Sequence, residues 1–268
     1  MYNFARCKLC GELTGNPTYE LKTTTIYVCS KCDFHYIDHL DTLPKDDPDA
    51  SPIPLDQRAW DFIESKLAVN EKRLRKSLAL VKQFCNLHGQ NCLDIGSGAG
   101  MFPHLVNQEG GTPYGIEPQQ VFREFAQKKF DLTLQEETVD EPFWQQGYAN
   151  FFDVVTLWDT LEHVNFPLET LEQAYALTKP GGYLFLDTPS RDSFVYKASE
   201  LSYRLSQGSK PFMLSMLYSP KPFRHKQIFR PKQLIELLER IGYKVENVDY
   251  SRFSPGKKIL LAAQKKAD

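Results

Sequence analysis

The sequence predicts an α/β fold, with a doubly wound, mostly parallel sheet carried by residues 57–268 behind a small cysteine-bearing module. Three observations predict it. From residue 57 onward short apolar runs alternate with amphipathic segments, the order expected when helices cross over between parallel strands. The run at 152–158 is mostly apolar, as a strand buried on both faces must be. Two Cys-x2-Cys pairs fall within the first 32 residues, ahead of the alternating region.

Taken in order, residues 1–40 are cysteine-rich, with a strand-like run at 24–28. Residues 41–56 carry four prolines and five aspartates without a hydrophobic period, which predicts an extended linker and a domain boundary. Between 57 and 84, Trp60, Ile63, Leu67, Leu74, Leu78 and Val81 recur at helical steps. A strand at 91–95 then leads to a helix at 101–108, closed by Gly110-Gly111. Strands follow at 114–117, 132–135, 152–158 and 183–187, with helices at 121–129 and 168–178. Pro180-Gly181-Gly182 ends the second of these helices. Residues 190–230 break the alternation; they are aromatic and basic, with eight Lys or Arg against two acids. A helix at 231–241 stops at Gly242, and strands at 243–248 and 258–263 close the chain.

Bulk properties narrow the function classes. A chain of 268 residues with 41% hydrophobic and 25% charged residues is globular rather than disordered. A formal net charge of −2 argues against a general nucleic-acid binder. No run approaches the ~18 apolar residues of a membrane span, and the first residues lack the apolar core of a secretion signal. The expectation is a cytoplasmic protein without a membrane partner, and with nucleic acid disfavoured.

The most informative segment is Leu93-Asp94-Ile95-Gly96-Ser97-Gly98-Ala99-Gly100, a strand running into a glycine turn before a helix. Glycines there permit left-handed backbone and close approach of a ligand. A dinucleotide fingerprint would space its third glycine one residue later. Asp94 would repel a pyrophosphate, whereas it suits a cofactor bearing an ammonium and a sulfonium. Glu117 ends the next strand, where an acid accepts hydrogen bonds from ribose hydroxyls.

With these residues in place, the chain resembles the class I S-adenosylmethionine-dependent methyltransferases that act mostly on small molecules. The likeness is carried by residues 93–100, Gly115-Ile116-Glu117-Pro118, the stretch 152–164 with its Glu162-His163 pair, and residues 177–189. The resemblance implies a seven-stranded sheet with an antiparallel last strand. It implies that Asp94, Gly96, Gly98 and Gly100 line the methionine side of the cofactor and Glu117 its ribose, with Trp158 and Asp159 beside the sulfonium. The loop around 136–139 would pass near the adenine.

Methyl transfer needs a base only when the acceptor is a weakly acidic hydroxyl or carbon. His163, beyond the fourth strand, and His225, before the helix at 231–241, are the candidates. For His163 the alternative is a cap of the neighbouring helix or a bond to a backbone carbonyl; for His225 it is a plain surface loop position. Residues 190–230 read as a lid, and their positive charge favours an anionic or sugar-like small acceptor.

Cys7-x2-Cys10 and Cys29-x2-Cys32, 18 residues apart, match a four-thiolate structural zinc ribbon. Cys85 and Cys92 lie outside that pattern. A ribbon that docks RNA or protein, or a non-catalytic cofactor-binding protein, are the competing readings.

Overall fold

A computed structural model of the chain describes residues 2–49, 51, 53–251 and 258–267. Residues 50 and 52 of the expected linker lie outside the described residues. The N-terminal segment forms β1 (Gly15–Glu20), β2 (Thr25–Cys29) and β3 (His35–Ile37), paired antiparallel in that order. The following stretch contains one 3-10 turn at Pro44–Asp46. Helix α1 (Gln57–Phe84) starts where Asp56 accepts a hydrogen bond from the Ala59 amide at 2.8 Å, an N-cap that satisfies one of the helix's free donors. Its buried side includes Ile63, Leu67, Leu74, Leu78 and Val81, five of the six positions that set its period.

The alternating region follows as β4 (Asn91–Ile95), α2 (Met101–Gln108), β5 (Thr112–Ile116), α3 (Gln120–Phe130), α4 (Pro142–Gly147), β6 (Phe152–Trp158), α5 (Pro167–Leu177) and β7 (Thr178–Pro189). Beyond it come α6 (Phe194–Leu205), α7 (Phe212–Leu217), β8 (Gln227–Ile228), α8 (Pro231–Ile241), β9 (Tyr243–Ser251) and β10 (Lys258–Lys265). The main sheet has the order β5-β4-β6-β7-β10-β9, and β4 runs parallel to both β5 and β6. The order reverses at β4, so a crevice opens beyond its carboxyl end, the usual ligand position of such sheets. Among the described residues this sheet has six strands where the resemblance implies seven. The expected strand at 132–135 is reduced to a single parallel bridge, Ile116 with Gln135. Only Gln135 exchanges ladder hydrogen bonds with β5, donating to Gly115 and accepting from Glu117, both at 2.8 Å.

The chain divides into two compact units: Met1–Asp41, Asp159–Glu172 and Leu186–Ala263 form the first, Thr42–Trp158, Gln173–Phe185 and Gln264–Asp268 the second. The cysteine segment and the 190–230 segment therefore fall in the same unit. Their connection is a shared sheet of order β1-β2-β3-β8, in which His35 faces Ile228 and Tyr36 faces Gln227. All three residues of β3 are buried, and β8 covers the edge that a three-stranded ribbon would leave open. Tyr19, Ile26, Ile37, Tyr196, Leu214, Tyr218 and Ile228 form one core there.

Gly100 shows how tightly the second unit is built around its turn. It caps α2 at φ +81°, and a Cβ on it would stand 2.8 Å from the Cβ of Ala126 on α3. Gly100→Ala is expected to lower the unfolding free energy by about 2 kcal/mol through backbone strain and overpacking. Urea denaturation measures this; a loss below about 0.5 kcal/mol, the range of ordinary surface changes, would refute it.

Candidate active site

The bend after β4 is made by three left-handed glycines: Gly96 at φ +79°, Gly98 at +51° and Gly100 at +81°. A Cβ on Gly98 would meet no atom within 4 Å, so that side of the turn is an open cradle. Beneath it lies Asp94, buried, whose Oδ1 accepts a 2.6 Å hydrogen bond from the Thr156 hydroxyl of β6. Glu117, also buried, accepts from the Gly98 amide at 2.9 Å and from the Gln119 amide at 2.8 Å. The first of these bonds joins the turn after β4 to the turn after β5, and the second lies within the turn after β5. Burial pushes the carboxyl groups of both Asp94 and Glu117 up to about 7.

A cavity of about 240 Å3 opens on this turn. Asp94, Gly96, Gly98 and Trp158 line it together, as the resemblance implies for the cofactor's surroundings. Met101 and Phe102 of α2 and Phe122 of α3 add to its wall, and a further side comes from α1, which presents Phe62, Lys66, Asn70 and Arg73 at steps of four, four and three. These were missed by sequence reasoning, which used α1 only as a core-packing helix. Their signal was Phe62, an aromatic residue one position off the apolar stripe. Gly100 and Glu117 support the cradle from outside the cavity lining. In the loop at 136–139, Glu136 pairs with Arg123 at 3.0 Å and the Glu137 carbonyl accepts from the Trp144 indole at 2.8 Å.

In the other unit, Asp159 begins the segment that follows β6, in left-handed backbone at φ +52°. Its amide donates to Asp187 at 2.6 Å, and its carboxylate pairs with Lys258. Three residues on, Glu162 is fully buried and accepts from the Thr188 hydroxyl at 2.9 Å. His163 and His225 are brought together, with ring centroids 5.0 Å apart, and with Glu162 they place their ligand-type atoms within 4.8 Å of one another. His225 Nδ1 lies 3.1 Å from the Leu217 carbonyl, which can only accept, so Nδ1 carries the proton and Nε2 the lone pair. Burial lowers His225 below the usual imidazole value and takes His163 down to about 4, so both are neutral at pH 7. Neither is a plain exposed loop residue.

The four N-terminal cysteines converge, all Sγ atoms lying within 4.8 Å of one another. Cys7 and Cys32 are 3.6 Å apart and Cys10 and Cys29 3.7 Å, far beyond a disulfide bond. The two turns repeat one geometry. The Gly11 amide donates to the Cys7 carbonyl and the Asp33 amide to that of Cys29, with both donors left-handed. The amides of Leu9 and Cys32 point at the sulfurs of Cys7 and Cys29, each at 3.4 Å. A hydrogen bond from Cys32 pulls the Cys7 thiol down to about 6. Cys92 is buried and Cys85 half-buried, and both are free thiols.

The two raised carboxyl groups fix a sign for stability. Each binds its proton more tightly in the folded chain than in the unfolded one, so their contribution is fullest below about pH 4 and is lost as pH rises through 7. Asp94→Asn removes one such group and keeps an acceptor for Thr156. It is expected to raise the unfolding free energy of the ligand-free protein at pH 8 by about 1 kcal/mol and to flatten its pH dependence. Thermal melts from pH 5 to 8 test this; a variant less stable than the parent at pH 8 contradicts it.

Comparison with known proteins agrees with this geometry. A family described as a methyltransferase domain matches residues 65–248, leaving the cysteine module outside the match. A ubiquinone biosynthesis O-methyltransferase of Vibrio vulnificus is 27% identical over 179 residues, covering 63% of this chain and 70% of that protein. One from Actinobacillus pleuropneumoniae serotype 7 is 30% identical over 188 residues, covering 66% and 76%. Among solved structures, a magnesium protoporphyrin IX methyltransferase from Synechocystis with bound SAH superposes with a TM-score of 0.56 at 14% identity, over 81% of this chain and 90% of that one. A Methanosarcina mazei SAM-dependent methyltransferase gives 0.55 at 15% identity, over 70% and 98%. The α/β sheet, the left-handed glycine turn and the match over most of the chain converge on one conclusion: the chain belongs to the methyltransferase domain family and is an S-adenosylmethionine-dependent enzyme.

Proposed function

We propose that the chain methylates a hydroxyl group of a small molecule, with a structural zinc in its N-terminal module. The observation that carries the hydroxyl reading is the His163–His225 pair. A neutral hydroxyl must lose its proton as the new bond forms, and His225 Nε2 presents a lone pair fixed by the bond from Nδ1 to Leu217. The curated relatives named as O-methyltransferases support the same class of acceptor.

The cavity residues fit the cofactor's charges. Asp94 receives the ammonium of the methionine part through the Gly96–Gly98 cradle, and Gly100 holds the turn open. Lys66 and Arg73 of α1 supply the cations that its carboxylate needs. Glu117 accepts from the ribose hydroxyls, and Trp158 gives an apolar wall beside the sulfonium. Asp159 acts through its ion pair with Lys258, holding the end of β6 in its left-handed bend. When bound, S-adenosylmethionine supplies a methyl group already activated for displacement. The chain's own part is to orient the acceptor, exclude water and accept the proton. Part of the positive charge at 190–230 is neutralised internally. Arg191 and Arg230 pair with Asp33, and Lys226 pairs with Asp41 at 2.9 Å. The exposed Lys210, Lys221 and Arg224 remain to favour an anionic or sugar-like acceptor.

The cysteine geometry fits zinc. A tetrahedron with Zn–S bonds of about 2.3 Å has edges of about 3.8 Å, against the 3.6 and 3.7 Å seen here. Four thiolates close the coordination shell, which is the structural rather than the catalytic arrangement.

With labelled methyl donor, turnover is expected on hydroxylated small molecules and not on RNA or protein fractions; label confined to a macromolecular fraction would overturn the reading. His225→Ala is expected to lower kcat about 100-fold while the cofactor Kd, read by calorimetry, stays unchanged. An unchanged kcat removes His225 from the chemistry. Elemental analysis is expected to find one zinc per chain, lost together with the secondary structure of β1–β3 when Cys10 and Cys29 are both replaced by serine. Purified active protein without zinc would exclude the metal.

A further inference from the structure

Helix α6 has two opposed faces, and both are apolar. Tyr196 and Tyr203 turn inward, Tyr196 into the core with Leu214 and Tyr218, and Tyr203 packing against it. Phe194, Ala198, Leu201 and Leu205, at steps of four, three and four, form the outer stripe. On α7, Leu214 is buried while Phe212 and Met216 point outward. Phe194, Leu201, Leu205, Phe212 and Met216 are between 56% and 83% exposed. Leu201 and Leu205 also line a groove of about 430 Å3 with Ser206 and Lys210. Large apolar side chains grouped in this way on a short stretch mark an interaction surface.

The charges around the stripe indicate what covers it. Between residues 193 and 226 there are six Lys or Arg and one acid, Glu200. Glu200 is directed inward, where it accepts from the Tyr19 hydroxyl and pairs with Arg204 at 2.8 Å. Lys226 is buried, which leaves Lys197, Arg204, Lys210, Lys221 and Arg224 exposed. Lys197 and Arg204 flank one side of the outer stripe but are paired with Asp192 at 3.5 Å and Glu200 at 2.8 Å, so the excess positive charge rests with Lys210, Lys221 and Arg224. A second copy docked on this face would bring two basic surfaces together with no exposed acid between residues 193 and 226 to pair them, which opposes self-association. An anionic, apolar layer satisfies both features at once. The aliphatic and aromatic stripe enters the acyl boundary while the cations stay at headgroup level.

We propose that α6 and α7 form a docking face for the surface of an anionic lipid bilayer. No helix among the described residues is long and apolar enough to cross a membrane, so the contact is superficial. The expectation of no membrane partner, drawn from the absence of a spanning run, does not bear on a helix that lies in the interface. The face belongs to the unit that carries the histidine pair, so docking would hold that unit at the lipid surface.

Flotation of the full chain with phosphatidylcholine vesicles, with and without phosphatidylglycerol, tests the proposal. Binding is expected to vesicles containing phosphatidylglycerol, to weaken at high salt, and to fall about tenfold or more in the double variant L205D/F212D. Cofactor affinity, read in parallel, reports that the variant is folded. If that variant fails to fold, K210E/K221E serves instead and is expected to abolish the preference for phosphatidylglycerol. Absence of wild-type binding, or binding unaltered in the folded variants, overturns the proposal. So does sedimentation showing a wild-type dimer that L205D/F212D converts to monomer, which assigns the face to a second copy.

Discussion

Two carboxylates kept out of water at the carboxyl ends of β4 and β5 set the terms for the rest of the second unit. Burying Asp94 and Glu117 costs free energy, and the hydrogen bonds from Thr156, Gly98 and Gln119 offset only part of it, since both groups remain raised to about 7. A chain selected for stability alone would place neutral groups there. The surrounding features follow from keeping the acids: a backbone turn that can reach Glu117 with an amide, glycines that let it bend that way, and α1 closing the cavity. On the cofactor reading proposed above, a ligand carrying a cation and hydroxyl donors would offset the penalty, which would couple folding stability to occupancy of the site.

The first unit solves a different problem, how to hold three distant stretches of chain together. Its answer adds buried ionic and hydroxyl contacts to the apolar core around Ile26, Ile37 and Ile228. Arg191, buried, donates to the Asp33 carbonyl and pairs with its carboxylate, and Arg230 pairs with the same group at 3.0 Å. Against the upward effect of burial, the hydrogen bond from His35 and these two cations hold Asp33 well below the usual carboxylate range. His35 in turn meets the Tyr196 hydroxyl at 2.8 Å, and Tyr196 meets Tyr218 at 2.9 Å. Asp33 is also the left-handed residue that completes the second cysteine turn. One residue therefore serves the geometry of the cysteine cluster and the attachment of the 190–230 segment.

What was legible in the sequence divides along physical lines. Elements with a strong period and a clear stop were read to the residue: α1, α2, β4, β6 and α8 coincide with their predicted ranges. The cradle was legible because left-handed backbone demands glycine, and glycine is visible in a sequence. Helices α6 and α7 were not: residues 190–230 were read from their aromatic and basic composition as a break in the alternation, although Phe194, Ala198, Leu201 and Leu205 recur at helical steps. Strand β8 has two residues and no periodicity at all; it exists through its pairing with β3. The histidine pair was named residue by residue, but nothing in the sequence shows that positions 163 and 225 share one cluster.

That last point explains why a methyltransferase would carry a cysteine module. Cys29 ends β2 and with Cys32 frames the turn into β3, Cys7 and Cys10 meet them from the segment before β1, and β3 is what holds β8. The amide of Ile37 donates to the Lys226 carbonyl at 2.9 Å, while the Lys226 amide donates to the Glu162 carbonyl at 2.8 Å. The Gln227 side chain donates to the carbonyls of Leu161 and Val164 at 2.9 and 2.7 Å. Residues 226 and 227 are thus clamped between the module on one side and the Glu162-His163 segment on the other, and His225 is the residue immediately before the clamp. Lys226 adds a buried ion pair to Asp41, at the module's exit. A ribbon that merely decorated the enzyme would need none of these bonds. Their arrangement makes the cysteine-bearing segment the anchor of the strand that brings His225 to His163; on the reading proposed above, the module would serve the chemistry by position while supplying no reacting atom.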